Sequence, residues 1–246
     1  MKGFFNRIAV VDLTAGQFSV ESVADETYER YMGGKGLASY LLCEMNPPRV
    51  DPLAPDNHLI FATGPATGTV TWGSSRYGVF TKSPLTNFYC ESYSGGRVPE
   101  KISATGYDAI VFKGKADRLT VVEIDEDGIE FHDARDLSGL DTFETESRVK
   151  KMCPDAGVVV VGAAAENGVA FATIKNDGYR CAGRTGAGTV LGSKNVKAVA
   201  FRGKRKRTIH DQKTLSSISK DLAAESREHP GVKAYKTMGT SQLVNV

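Results

Sequence analysis

Cysteine and histidine are scarce in this chain, four of each among 246 residues, and no two cysteines form a CxxC. Cys43, Cys90, Cys153 and Cys181 lie far apart. That scatter argues against a disulfide framework, and against a zinc or iron–sulfur site supplied by this chain alone. Long apolar runs are missing too, so no stretch reads as a bilayer-spanning helix. The opening Met1-Lys2-Gly3-Phe4-Phe5-Asn6 lacks the layout of a signal peptide. These absences point to a cytoplasmic protein with no membrane partner. Charge of one sign is not in excess either. A net charge of +2 is too small to argue for nucleic acid. The one basic run, Lys204–Arg207, reads as a solvated linker. There is no Gly-Lys-Ser/Thr phosphate loop, and Gly186, Gly188 and Gly192 miss the dinucleotide spacing by one residue.

What is present is the composition of a folded globular protein, 41% hydrophobic and 24% charged, long enough for one large domain or for one domain plus a fragment. Its main feature is repetition. "GYDAIVFKGKA" at Gly106–Ala116 nearly returns as "NVKAVAFRGKR" at Asn195–Arg205. The flanking order repeats as well. Arg7–Val11 and Phe18–Val23 read as a hairpin around Thr14-Ala15-Gly16. A helical stretch over Asp25–Cys43 follows, interrupted at Gly33-Gly34-Lys35-Gly36 and stopped by Asn46-Pro47-Pro48. Strand-like His58–Thr63 and Arg76–Thr81 come next.

The second half offers a hairpin over Leu119–Ile124 and Ile129–His132. It continues with a helix from the capping signal Asp141-Thr142-Phe143-Glu144 to Met152, and strands at Gly157–Val161 and Val169–Ile174. Each half ends with a Gly-rich segment, a short helix and the repeated phrase. This shared order argues for an internal duplication about an approximate two-fold axis. The fold class expected is α+β, a β-rich domain of two related sheet halves over residues 1–208. Residues 209–246 are expected to open a truncated helical domain, with Thr214–Ser226 helix-prone and an apolar, uncapped stretch at Gly239–Val246.

Candidate binding residues cluster at the Gly-rich segments. Gly95 and Gly96 precede Arg97-Val98-Pro99-Glu100, a pattern for a helix start whose free N–H groups favour an anion. The second segment, Ala182–Gly188, offers similar groups. Arg76, Arg180 and Arg184 border these segments. Arginine presents a planar fork of donors suited to phosphates and flat heteroaromatic edges, although a single arginine more often makes a surface ion pair. Cys181 sits beside Arg180 without a histidine nearby in sequence, so a thiol nucleophile is unsupported. The residues read as a binding platform without catalytic machinery.

Several segments then resemble a known family. "NHLIFATGPATGT" (Asn57–Thr69), "SRYGVFTKSPLT" (Ser75–Thr86), "GYDAIVFKGKA", "NDGYRCAGRTGAG" (Asn176–Gly188) and "LGSKNVKAVAFRG" (Leu191–Gly203) resemble the N-terminal domain of aldehyde:ferredoxin oxidoreductases. The resemblance implies a base of two like halves beneath a tungsten or molybdenum ion, which is held by two pterins with Mg2+ bridging their phosphates.

Carried over by position, Arg76 would lie between pterin and a [4Fe-4S] cluster. Tyr93, Ser94, Gly95 and Gly96 would form one set of cofactor contacts, and Arg180, Cys181, Gly183 and Arg184 the other. Backbone groups of Tyr93 and Cys181 would face the magnesium. The family often has asparagine and alanine at these two positions.

The resemblance also implies that the cluster-binding and acid–base residues lie outside this chain, in helical domains or a separate subunit. Ferredoxin or a ferredoxin-like subunit would accept electrons, an aldehyde would be the substrate, and a homodimer is possible through the exposed apolar face. Two alternatives stand beside aldehyde oxidation: a tungsten aromatic-acyl-CoA reductase with the same cofactor, and a non-catalytic pterin-binding module.

Overall fold

A computed structural model describes residues 1–244; Asn245 and Val246, the end of the stretch expected to open a second domain, lie outside the described residues. The first half begins with the hairpin β1 (Arg7–Asp12) and β2 (Gln17–Ser22). Asp12 Oδ1 accepts the backbone N–H groups of Thr14 and Ala15 and so sets the turn. The broken helix is α1 (Asp25–Tyr31) and α2 (Lys35–Met45). Strands β3 (Leu59–Thr63), β4 (Arg76–Lys82) and β5 (Tyr89–Gly95), helix α3 (Val98–Ala104) and strand β6 (Ala109–Lys113) complete the half.

The second half runs through β7 (Thr120–Ile124), β8 (Ile129–Asp133) and α4 (Thr142–Met152), then β9 (Gly157–Val160) and α5 (Ala163–Glu166). It closes with β10 (Ile174–Asn176), β11 (Arg180–Ala182), α6 (Ala187–Ser193) and β12 (Val196–Phe201). The expected capping signal is met: Asp141 Oδ1 accepts from Phe143 N at 2.8 Å and Glu144 N at 2.9 Å. Helices α7 (Gln212–Glu228) and α8 (Pro230–Met238) follow and pack on each other.

Both sheets have six strands and one common order. The first is β2-β1-β6-β3-β4-β5 and the second, read from the matching edge, β8-β7-β12-β9-β10-β11. Every pairing also keeps its sense. The closing strand of each half lies parallel to the half's first strand and antiparallel to its third. The duplication expected from the repeated phrase is therefore one of topology.

The sheets pack face to face between two helical layers. Ala9, Val11, Phe61 and Val79 of the first sheet share an interior with Val122, Val159, Ile174 and Phe201 of the second. The rings of Phe61 and Phe201 lie 5.7 Å apart across it, and α3 and α6 plug the same core through Ile102, Val190 and Leu191. Burial of each such side chain contributes about 1.5–3 kcal/mol. On the outer faces, Leu37 and Leu41 of α2 cover the first sheet, and Val149 of α4 covers the second.

Three expectations need correction. Val169–Thr173 is not strand, because its carbonyls are taken by α6: Ala172 O accepts from Gly188 N, and Val169 O from the Thr189 hydroxyl. The ladder starts only at Ile174. Strands β5 and β11 were not expected at all; Tyr93, Arg180 and Cys181 sit on extended edges, not in loops. Lys204–Arg207 is no simple solvated linker, since the side chain of Arg207 is only 2% exposed and pairs with buried Asp108.

Candidate functional site

Strands β5 and β11 are the terminal strands of their sheets, and they meet each other. An edge strand leaves alternate backbone N–H and C=O groups without a ladder partner. Side chains, not a ladder, close this seam. Asn176 is its centre: its Oδ1 accepts from Tyr77 OH at 3.0 Å and Ser94 Oγ at 2.7 Å, while its Nδ2 donates to Gly95 O at 2.9 Å. Arg184 N donates to Ser92 Oγ at 3.0 Å, and the Thr185 hydroxyl to Cys90 Sγ. Burial raises the Tyr77 phenol and the Cys90 thiol above their ordinary values, so both stay protonated.

The glycines are explained by this closeness. Gly96 has φ +98°, and a Cβ there would collide with Asp177 Oδ2. That carboxylate accepts Arg97 N at 2.8 Å, at the start of α3. Gly186, at φ +79° before α6, has no room for a Cβ beside Ala170 O.

The residues singled out in the sequence fall into two adjoining clefts along the seam. One, of about 340 Å3, is lined by Arg76, Gly95, Gly96 and Arg180, with the Thr69–Ser75 loop as its wall. The other, of about 650 Å3, is lined by Tyr93, Cys181, Gly183 and Arg184 together with Tyr89 and Glu91. Ser94 differs from the rest: it points inward, buried, with its hydroxyl committed to Asn176.

Arg76, Arg180 and Arg184 are exposed, and among the described residues none of their guanidinium groups has an ion-pair or hydrogen-bond partner. Arg76 leans over Gly95, whose hydrogen stands where a Cβ would come 3.0 Å from Nη1. Three unpaired cations around unpaired backbone edges fit an anionic, polyfunctional ligand such as a pterin phosphate.

Sequence reasoning missed one neighbouring group. Lys35, at the start of α2, pairs with Glu91 at 2.7 Å, and Tyr93 OH donates to Glu91 at 3.4 Å. The hydrogen bond and charge of Lys35 hold the Glu91 carboxyl below its usual range. Partial burial, then the nearby Glu91 charge, raise the Tyr93 phenol. The alternation of Tyr89, Glu91 and Tyr93 on one face of β5 was the available signal. Trp72 in the Thr69–Ser75 loop, and Leu85 and Phe88 in the turn between β4 and β5, are exposed apolar side chains.

Comparison with known proteins bears on this geometry. Residues 8–203 match the family described as aldehyde ferredoxin oxidoreductase, N-terminal domain. The chain is 40% identical over 252 aligned residues to the tungsten-containing aldehyde ferredoxin oxidoreductase of Pyrococcus furiosus, covering 100% of this chain and 41% of that protein. It is 29% identical over 220 residues to the aliphatic sulfonate oxidoreductase, WOR-like subunit, of the same organism, covering 82% and 35%. Among solved structures, the active site complex BamBC of benzoyl coenzyme A reductase, in complex with 1,5 dienoyl-CoA, contains a similar chain. It superposes with a TM-score of 0.88 at 33% identity, over 92% of this chain and 35% of that one. The chain spans about two-fifths of the length of the curated relatives it matches. No helix among the described residues is long and apolar enough to cross a membrane.

Proposed function

The chain belongs to the aldehyde ferredoxin oxidoreductase N-terminal-domain family, and on that premise we propose that its β5–β11 seam is the platform for a tungsten or molybdenum bis-pterin cofactor. The observation that carries this reading is the trio of unpartnered guanidinium groups set around two adjoining clefts on edge strands of duplicated sheets. Each cleft takes residues from both edges, and the two clefts give two places, as a cofactor with paired pterins requires.

Arg76 and Arg180 would hold phosphate or ring edges in one cleft, with the backbone of Gly95 and Gly96. Arg184 and the backbone of Gly183 would do so in the other. Backbone carbonyls of Tyr93 and Cys181 would serve a bridging Mg2+, which takes oxygen ligands. That role does not depend on the side chain, so tyrosine and cysteine can stand where relatives have other residues. When bound, the cofactor would supply two-electron oxidation at its metal. The protein's own contribution is to bind, orient and screen it from water, with Trp72, Leu85 and Phe88 as an apolar rim for a covering domain or subunit.

In the assembled enzyme, the reaction proposed is oxidation of an aldehyde to a carboxylic acid, with electrons leaving through a [4Fe-4S] cluster held outside this chain to ferredoxin. Reduction of an aromatic acyl-CoA is the second reading, favoured by the structural likeness to the benzoyl coenzyme A reductase complex. Metal and pterin analysis of the protein, purified with whatever it holds, tests the platform. Tungsten or molybdenum should accompany pterin. Combining Arg76→Ala, Arg180→Ala and Arg184→Ala should lower pterin retention by roughly tenfold or more, since each charged hydrogen bond contributes about 1.5–3 kcal/mol. Unchanged retention would refute the site. Assaying the assembled enzyme on aldehydes and on benzoyl-CoA separates the two chemistries.

A further inference from the structure

The outer faces of the two sheets differ in polarity where β1 and β7 correspond. In the first, the outward residues of β1 are Ile8 and Val10, buried in an apolar cluster beneath α2. Ile8 and Val10 pair with Ala109 and Val111 of β6 as Val121 and Glu123 pair with Ala198 and Ala200 of β12. A carboxylate therefore stands where its counterpart half has valine, and Glu123 is only 7% exposed. Burying a carboxylate costs several kcal/mol unless partners compensate, so its surroundings decide what it is for.

Those surroundings are metal-ligating. Glu123 Oε2 lies 3.0 Å from His132 Nε2 on β8 and 3.3 Å from Cys153 Sγ at the end of α4. All three donor atoms fall within 4.8 Å of one another. Glu130, cross-strand neighbour of Glu123, reaches 3.9 Å from the same imidazole nitrogen and is the most exposed of the group. Arg202 takes the other oxygen, Oε1, at 3.0 Å, which leaves Oε2 facing the cluster.

We propose that Glu123, His132 and Cys153, with Glu130 as fourth donor, bind a divalent transition-metal ion of the zinc class. Thiolate, imidazole and carboxylate together suit zinc, whose ligands at about 2.0–2.3 Å need donors only slightly farther apart than these. Charge also closes: two carboxylates and a thiolate are balanced by the ion and the Arg202 guanidinium. Entry of the metal releases the Cys153 thiol proton to solvent and places the His132 N–H on Nδ1. The site lies on the outer face of the second sheet, under α4, and the partly exposed His132 and Glu130 give the ion its way in. The scattered sequence positions 123, 130, 132 and 153 conceal it; strand pairing and the end of one helix bring them together. The proposal runs against the expectation that this chain supplies no zinc site.

Cobalt(II) added to the chelator-treated full chain tests this. Cys43→Ser and Cys181→Ser are included so that the exposed thiols cannot bind. One cobalt per chain should give a thiolate-to-cobalt charge-transfer band that zinc displaces and Cys153→Ser abolishes. Glu130→Gln, at an exposed position, should weaken binding by roughly tenfold. Absence of the band, or its survival in Cys153→Ser, would overturn the proposal. Should Cys153→Ser fail to fold, thermal melting of His132→Gln decides. Zinc should raise the melting temperature of the parent and not of this variant; an equal rise in both, or none in the parent, refutes the site.

Discussion

The repeated phrase places Asp108 and Lys197 at the same point, one residue before Ala109 and Ala198. Both are buried, at 1% and 0% exposure, and they carry opposite charges. Asp108 gathers the chain's extremities: its carboxylate accepts from Phe5 N and Asn6 N, both at 2.9 Å, from Tyr28 OH at 2.6 Å, and pairs with Arg207. Lys197 works locally, pairing with Glu166 at the end of α5 and donating to Leu140 O at 3.0 Å. Burial works to raise the Glu166 carboxyl, but hydrogen bonds from Lys197 and Gly139 N hold it below its ordinary value. A duplicated backbone thus kept a buried ionic anchor in each half while the chemistry of each anchor was inverted. Topology is what the halves share, and the polar contacts that fasten them are separate solutions.

Removing the anchors should break the comparison most visibly. Asp108→Ala strands the Arg207 guanidinium and should cost about 3–5 kcal/mol in denaturant unfolding. Lys197→Met should cost nearer 3 kcal/mol, because Glu166 keeps Gly139 N at 2.9 Å. The reverse ranking would show that the local anchor is the stronger one. At the seam where the halves touch, Asn176→Ala leaves three buried partners unpaired and should cost about 2–3 kcal/mol. A loss confined to a few tenths would mean that the edges hold together without it.

The residue before the phrase offers a pH test. Thr105 in the first half bonds its own helix, whereas Lys194 in the second is buried and donates to Pro55 O and Gly114 O. Burial pushes its amine down to about 8 from an ordinary 10.5. Between those values the unfolded chain binds more protons than the folded one, so stability should climb as pH rises through that window. The gain is about 2 kcal/mol after allowance for partial solvation. It should vanish in Lys194→Met; a parallel pH course in both proteins would refute the assignment. Smallest is the cap. Asp141→Ala should cost about 1 kcal/mol, while α2, which covers the first sheet as α4 covers the second, follows Gly34 and already lacks a side-chain cap.

The hairpins, broken helix, capped helix and repeated closing strands were legible because their apolar spacing and turn residues act locally. The edge strands were not. In β5 the inward positions are Cys90, Ser92 and Ser94, so burial there carries no hydrophobic signature. In β11 only three residues pair, too few for a period to show. The arginines that line the clefts could be picked out by their glycine neighbours, but their division between two clefts depends on the meeting of two edges distant in sequence. Arg207 was misread for a similar reason, since a basic run looks solvated until the partner 99 residues away is known.

That last contact has a consequence for biosynthesis. Arg207 follows both sheets in chain order, yet the carboxylate it neutralises belongs to the first. A nascent chain halted before it leaves the ribosome would hold a complete set of strands around an acid lacking its counter-cation. The buried acid of the first half is therefore neutralised only once the segment beyond both sheets has been made.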